Sequence, residues 1–252
     1  MFDKLGASLE RLVKIMERLR DPATGCEWDR VQTFATIAPY TIEEAYEVAD
    51  AIDRDDMADL ADELGDLQLQ VVFHSQIASE SRQFALNDVL TRVSDKLERR
   101  HPHIFGPAEH GEHRHWEAIK ADERAAKPDP SALAGVAIAL PALERAAKLQ
   151  KRAARTGFDW PDADGPRAKI AEELDELAEA APEDRAEELG DLLFAVVNLA
   201  RHLKIDPEEA LRKANRKFER RFRAIETAPG FSFLSLLEME ALWQAAKQAQ
   251  SA

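Results

Sequence analysis

The sequence predicts an all-α protein made of two tandem helical-bundle repeats, and three observations predict it. Only 10 glycines and 12 prolines punctuate 252 residues that are 33% charged and rich in Ala, Leu, Glu and Arg, the composition of helices. No run of alternating β-branched and aromatic residues marks a strand. The chain is also written twice. EEAYEVADA (43–51) answers EELDELAEA (172–180) at an offset of 129, and ELGDLQLQVVF (63–73) answers ELGDLLFAVVN (188–198) at an offset of 125. DKLERRHPHIF (95–105) matches RKFERRFRAIE (216–226), WEAIK (116–120) matches WQAAK (243–247), and TGCEW (24–28) matches TGFDW (156–160). Five blocks in one order at nearly constant offset define a duplication. The units are expected at 1–124 and 141–252, with a linker at 125–140.

The elements follow in order. MFDKLGASLERLVKIMERLRDP is too charged for the apolar segment of a signal peptide and reads as an amphipathic lead-in helix. Each unit then has an acidic helix (41–53 or 166–181), a second helix (55–80 or 183–203) and a basic helix (86–100 or 207–226). Thr41 is the expected cap ahead of Glu43 and Glu44, and Pro182 and Pro207 are placed in first turns, where a missing N–H costs little. In the connector KPDPSALAGVAIALP, spaced prolines stop the preceding helix, and the apolar second half is expected to pack down.

Charge and cysteine content narrow the function. A net charge of −14 excludes a general role on DNA or RNA, where affinity rests on cations meeting phosphates. An acidic protein that handles phosphates needs a basic patch or bound metal. The single cysteine, Cys26, forms no internal disulfide, and the longest apolar stretches fall well short of the roughly 20 residues of a membrane span. The expectation is a cytoplasmic protein.

The acids carry the chemistry. Glu173 and Glu176 are three apart, as are Glu188 and Asp191, and Glu172 lies four before Glu176. Those spacings put side chains on one helix face, so two adjacent helices present four or five carboxylates to one another. At an effective dielectric near 20, two ionised carboxylates about 4 Å apart repel by about 4 kcal/mol, so a cation must compensate them. All-oxygen ligands suit Mg²⁺ or Mn²⁺ rather than zinc. A solvated acidic face is the plain alternative. Against it, ExxD sits in an apolar helix and the set recurs as Glu43, Glu44, Glu47, Glu63 and Asp66. Downstream, Lys217, Arg220 and Arg221 share one helix face, and guanidinium forks match phosphate oxygens. No GxxxxGK[ST] loop is present, so a triphosphate would be held by metal and side chains. His101, His103, His110, His113 and His115 lie among Pro and Gly and predict a loop without fixed metal geometry.

EExxE followed by ExxD, with ELGDLLFAVVNLARHL, KANRKFERRF, CEWDRVQTFATIAPYTIEEAYE and SDKLERRHPHIF, resembles the MazG family of nucleoside triphosphate pyrophosphohydrolases over essentially the whole chain. The resemblance implies an all-α fold, a homodimer, and Mg²⁺-dependent hydrolysis of nucleoside triphosphates to monophosphate and pyrophosphate, with Mn²⁺ as a substitute. It puts the metal ligands on Glu173, Glu176, Glu188 and Asp191, with Glu172 beside them to orient water. Nucleotide contacts fall on Lys169, Lys217, Arg220, Arg221 and Trp243, whose indole is expected to stack on a base. The implied chemistry is attack of metal-activated water at the α-phosphorus, with Lys169 and the arginines offsetting charge on the leaving group.

The first unit keeps its five acids together with Lys96, Arg99 and Arg100, but Tyr40 stands where the second has Lys169. The second unit is therefore the expected principal catalyst, and the first is weaker, differently selective or structural. A di-iron carboxylate bundle would need ExxH pairs rather than ExxD on its helices. A non-catalytic nucleotide sensor or protein-binding regulator of the same fold is the alternative from another class.

Overall fold

In a computed structural model, residues 2–106 and 129–249 are described. They form helices joined by turns, with no strand among them. Two compact units result, Met1–Ala121 and Asp122–Ala252. Their boundary lies outside the described residues, as do the predicted edge at 124/125, the WEAIK block with Trp116, and His110, His113 and His115.

The first unit runs α1 (Phe2–Leu19), α2 (Glu27–Val31), α3 (Phe34–Asp53), α4 (Met57–Glu80), α5 (Leu86–Arg100) and α6 (Pro102–Phe105). Helices α3 and α4 pack along each other, and α1 and α5 lie against α4. Met16, Ile37, Val72 and Phe73 form the buried core, flanked by Leu12, Val13, Leu69, Ile77 and Leu86. Arg20 ties this corner together. Its buried guanidinium pairs with Glu80 at 2.7 Å, donates to the carbonyls of Asp29 (2.5 Å) and Gln32 (3.2 Å), and lies 5.3 Å from the Phe73 ring centroid.

The second unit runs α7 (Ala142–Ala154), α8 (Asp164–Glu179), α9 (Arg185–His202), α10 (Pro207–Glu226), a 3₁₀ turn (Phe231–Phe233) and α11 (Leu236–Ala249). Helices α8 and α9 repeat the α3/α4 pair, α7 packs on α9 and α10, and α11 packs on α10. The buried Gln150 amide donates to the Phe194 carbonyl at 2.8 Å, joining α7 to α9.

Three expected details differ. Helix α3 begins at Phe34 and is capped by Thr33 rather than Thr41. Thr33 N–H donates to Thr36 Oγ1 (2.8 Å) and Thr36 N–H donates to Thr33 Oγ1 (3.3 Å), a reciprocal box strong enough to start the helix ahead of Pro39. Thr41, now mid-helix, meets His74 Nε2 at 3.0 Å. Pro182 lies in the turn before α9, which starts at Arg185, whereas Pro207 opens α10 as expected. The connector does not pack down uniformly: Leu133 is exposed and Ile138 is 85% exposed. No helix among the described residues is long and apolar enough to cross a membrane, and Cys26 is a free, exposed thiol.

Candidate active site

Helix pairs α3/α4 and α8/α9 each bring an EExxE face against an ExxD face. In the second unit, Glu173, Glu188 and Asp191 each offer a carboxylate oxygen within 4.8 Å of the others. Glu173 is 3% exposed, and its Oε2 is buried without a hydrogen-bond partner. Glu173 Oε1 meets Lys169 Nζ at 2.6 Å, and the same ammonium meets the exposed Glu172 at 2.8 Å. Those two hydrogen bonds, Glu172 first, push the Lys169 ammonium well above its ordinary pKa. Burial pushes the Glu188 carboxyl up, and the charges of Glu176, Glu173 and Asp191 push it further.

The structure thus brings together three of the four expected ligands, with Lys169 and Glu172 against them. Glu176 is not one of the three oxygens inside 4.8 Å; it acts on Glu188 as the strongest neighbouring charge. Lys217, Arg220 and Arg221 lie on α10, away from the α8/α9 pairing face in sequence but on a helix that touches α9. Trp243 lies on α11 and packs against Phe218 (centroids 5.3 Å apart), with the Arg221 guanidinium 5.9 Å from its ring.

Three converging carboxylates, one of which also has a buried, partnerless oxygen, fit a divalent cation. Ionised acids at this separation repel, and a buried acceptor without a donor is costly. A hard dication answers both at once.

The first unit gathers the corresponding acids. Glu44, Glu63 and Asp66 converge within the same 4.8 Å. Its counter-group differs: Gln70 Nε2 donates to Glu44 Oε1 at 3.3 Å, and Gln70 is 7% exposed with its Oε1 buried and unpartnered. Burial, then Asp66 and Glu47, push the Glu44 carboxyl up against the opposing Gln70 hydrogen bond. Burial and then Glu47 lead the rise at Glu63. Tyr40, standing where Lys169 stands, is edge-on to Trp28 at 6.1 Å.

Sequence reasoning gave no role to Gln70 or to the Asp159–Trp160 corner. Asp159 accepts from Arg201 Nη1 at 2.8 Å, and its Oδ1 lies 3.0 Å from His202 Nε2. Arg201 is fixed in turn by Asn198 Oδ1, at 3.0 Å from Nε and 2.6 Å from Nη2. Only the recurrence of TGCEW and TGFDW pointed there, because Arg201, His202 and Asn198 have no counterparts of their type in the first repeat.

A family profile described as the MazG nucleotide pyrophosphohydrolase domain matches residues 32–105 and 166–225, one segment per repeat. A protein named nucleoside triphosphate pyrophosphohydrolase from Escherichia coli is 53% identical over 255 aligned positions, covering 95% of this chain and 97% of its own length. One from Thermotoga maritima, named nucleoside triphosphate pyrophosphohydrolase/pyrophosphatase MazG, is 50% identical over 224 positions, covering 88% of this chain and 86% of its own. An uncharacterized protein from Bacillus subtilis, YabN, is 42% identical over 94% of this chain and 51% of its own length. The two profile segments span the two acid-bearing helix pairs, and with these relatives they show that the chain belongs to the MazG nucleotide pyrophosphohydrolase family.

Proposed function

We propose that the chain hydrolyses nucleoside triphosphates to monophosphate and pyrophosphate with Mg²⁺, and that the α8/α9 acid cluster is the principal site. The observation that carries this reading is the convergence of Glu173, Glu188 and Asp191, with Glu173 Oε2 buried and partnerless and Lys169 already at hand. The names of the Escherichia coli and Thermotoga maritima relatives support the substrate class.

Glu173, Glu188 and Asp191 would hold the ion, with Glu176 completing the set. Once bound, Mg²⁺ supplies charge neutralisation of the triphosphate oxygens and a lowered pKa for water; Mn²⁺ supplies the same. In the reaction a water oxygen bonds to the α-phosphorus as the bond to the α–β bridging oxygen breaks and pyrophosphate leaves. Glu172, exposed beside the cluster, orients that water and takes its proton. Lys169 gives up part of its hold on Glu172 and Glu173 to meet the negative charge that grows on the leaving group. Lys217, Arg220 and Arg221 hold phosphate oxygens, and Trp243, with the Arg221 guanidinium 5.9 Å from its ring, offers its indole to the base.

The same reading includes a cytoplasmic homodimer. Leu174 on α8 and Leu189, Leu193, Phe194 and Val196 on α9 are exposed in the single chain, and a second copy would cover them. The deciding experiment measures pyrophosphate release from each common nucleoside triphosphate with Mg²⁺, with Mn²⁺ and with chelator, alongside light scattering. Metal-dependent release is expected. Tight nucleotide binding with no release under any metal would instead make the chain a sensor.

A further inference from the structure

The first repeat holds a buried polar group that the proposed reaction does not use. Gln70 is 7% exposed, and its Oε1 has no hydrogen-bond partner. A buried acceptor left without a donor is costly. The same amide's Nε2 lies 3.3 Å from Glu44 Oε1, so the head of the side chain reaches the acids between α3 and α4. Glu63, Asp66 and Gln70 follow one another at i, i+3 and i+7 on one face of α4. Amide oxygen and nitrogen differ little in shape, and a half-turn about the last side-chain bond exchanges them. That half-turn gives up one long hydrogen bond and brings the stranded oxygen round to Glu44. Two acceptors face to face are held there only by a cation between them.

The second repeat is built otherwise. The counterpart of Gln70 is Ala195, and Lys169 Nζ already meets Glu172 at 2.8 Å and Glu173 at 2.6 Å. A metal arriving there displaces a resident ammonium. In the first repeat Tyr40 takes the place of Lys169, and the charged groups that act on Glu44 and Glu63 are themselves carboxylates, Glu47, Asp59 and Asp66. One turn beyond Gln70, His74 Nε2 is taken by Thr41 Oγ1 at 3.0 Å and the imidazole stacks on Phe34 at 5.8 Å. Three carboxylates within 4.8 Å of one another and a spare amide oxygen make an all-oxygen set, which suits a hard divalent ion.

We propose that Glu44, Glu63, Asp66 and Gln70 form a standing cation site, filled by Mg²⁺ or Mn²⁺ without nucleotide and tighter than the α8/α9 cluster in the nucleotide-free chain. Its work is to hold α3 against α4 rather than to turn over substrate. An ion bound only by the folded chain stabilises it by mass action. The site goes beyond the hydrolytic reading and stands whether or not the second repeat is a catalyst.

The test is titration of Mn²⁺ into the nucleotide-free full chain, read by calorimetry and by loss of the paramagnetic resonance signal of free Mn²⁺, with thermal unfolding in Mg²⁺ and in chelator. The native chain should show a tight site that Glu44→Gln abolishes and Glu173→Gln leaves in place. Gln70→Met, which keeps the volume and removes the amide oxygen, should weaken that site by about 10-fold, which is about 1.4 kcal/mol. It should also shrink the rise in Tm that Mg²⁺ gives, whereas Gln70→Glu should bind Mn²⁺ tighter than the native chain. Four results overturn the proposal: unchanged affinity in Gln70→Met, no tightening in Gln70→Glu, a tight site lost with Glu173→Gln and kept with Glu44→Gln, or no Mn²⁺ binding until nucleotide is added. A tight, Glu44-dependent site in a chain that releases no pyrophosphate would sink the proposed reaction and leave this site standing.

Discussion

The two repeats fold the same acids into the same place and then balance them differently. In the second, the buried Glu173 carboxylate is met by the Lys169 ammonium at 2.6 Å; in the first, Glu44 is met by the Gln70 amide at 3.3 Å. An ammonium can leave a carboxylate for a phosphate when a metal arrives, carrying a full charge to where the reaction generates one. An amide cannot. What distinguishes the repeats is therefore the mobile charge beside the acids rather than the acids themselves. This is also why two helix pairs that each bring three acids within 4.8 Å of one another need not be equal catalysts.

The strongest way to break that comparison is to remove acids one repeat at a time. Glu176→Gln or Asp191→Asn in the second repeat is expected to lower pyrophosphate release by more than about 100-fold, a loss of transition-state charge stabilisation of the size seen when a preorganised electrostatic group is removed. Glu47→Gln with Asp66→Asn in the first repeat should cost less than about threefold. Steady-state kinetics on both proteins decides, and a loss confined to the Glu47/Asp66 protein would reverse the assignment of the catalytic unit. A smaller effect sharpens it. Lys169→Tyr, which copies Tyr40 into the second repeat, should lower kcat by about 10-fold to 100-fold. Metal binding, read by calorimetry, should strengthen because Glu172 and Glu173 lose a resident competitor. Unchanged kcat would show that Lys169 serves only to hold the acids.

The amino-acid sequence displayed most of this. Helical spacing within each repeat set Glu173 with Glu176 and Glu188 with Asp191, and duplication put both pairs in one context, so the facing of α8 and α9 was legible from period and repetition alone. What stayed hidden depends on contacts between helices or on local competition. Gln70 reaches Glu44 across 26 residues, and its counterpart Ala195 gave no signal that the position mattered. The start of α3 was placed late because Thr41 stands ahead of Glu43 and Glu44 as a cap would, while the box that wins is made by two threonines, Thr33 and Thr36, rather than the usual Ser/Thr with Glu. The clamp on Asp159 was invisible because it joins a loop to residues 42 and 43 positions away.

The smallest effect is one of sign. In the metal-free chain Glu44 has a raised pKa from burial and from Asp66 and Glu47. Above its ordinary value and below the raised one, the folded chain holds more protons than the unfolded chain, so stability falls as pH rises through that window. At neutral pH the charge on Glu44 therefore opposes folding, and Glu44→Gln is expected to raise the Tm of metal-free protein. The gain should fade near pH 4, where Glu44 is protonated anyway. Glu173 differs because its carboxylate pairs with Lys169, a cation 35% exposed in its side chain. Removing the charge by Glu173→Gln leaves that ammonium with Glu172 alone, and Tm is expected to fall by about 2–4 °C. Thermal unfolding of both variants in chelator at pH 7 and pH 4 measures the pair. Opposite signs at pH 7 would show that the two repeats carry their acids against different counter-charges, whereas equal signs would mean that Lys169 and Gln70 do the same electrostatic work.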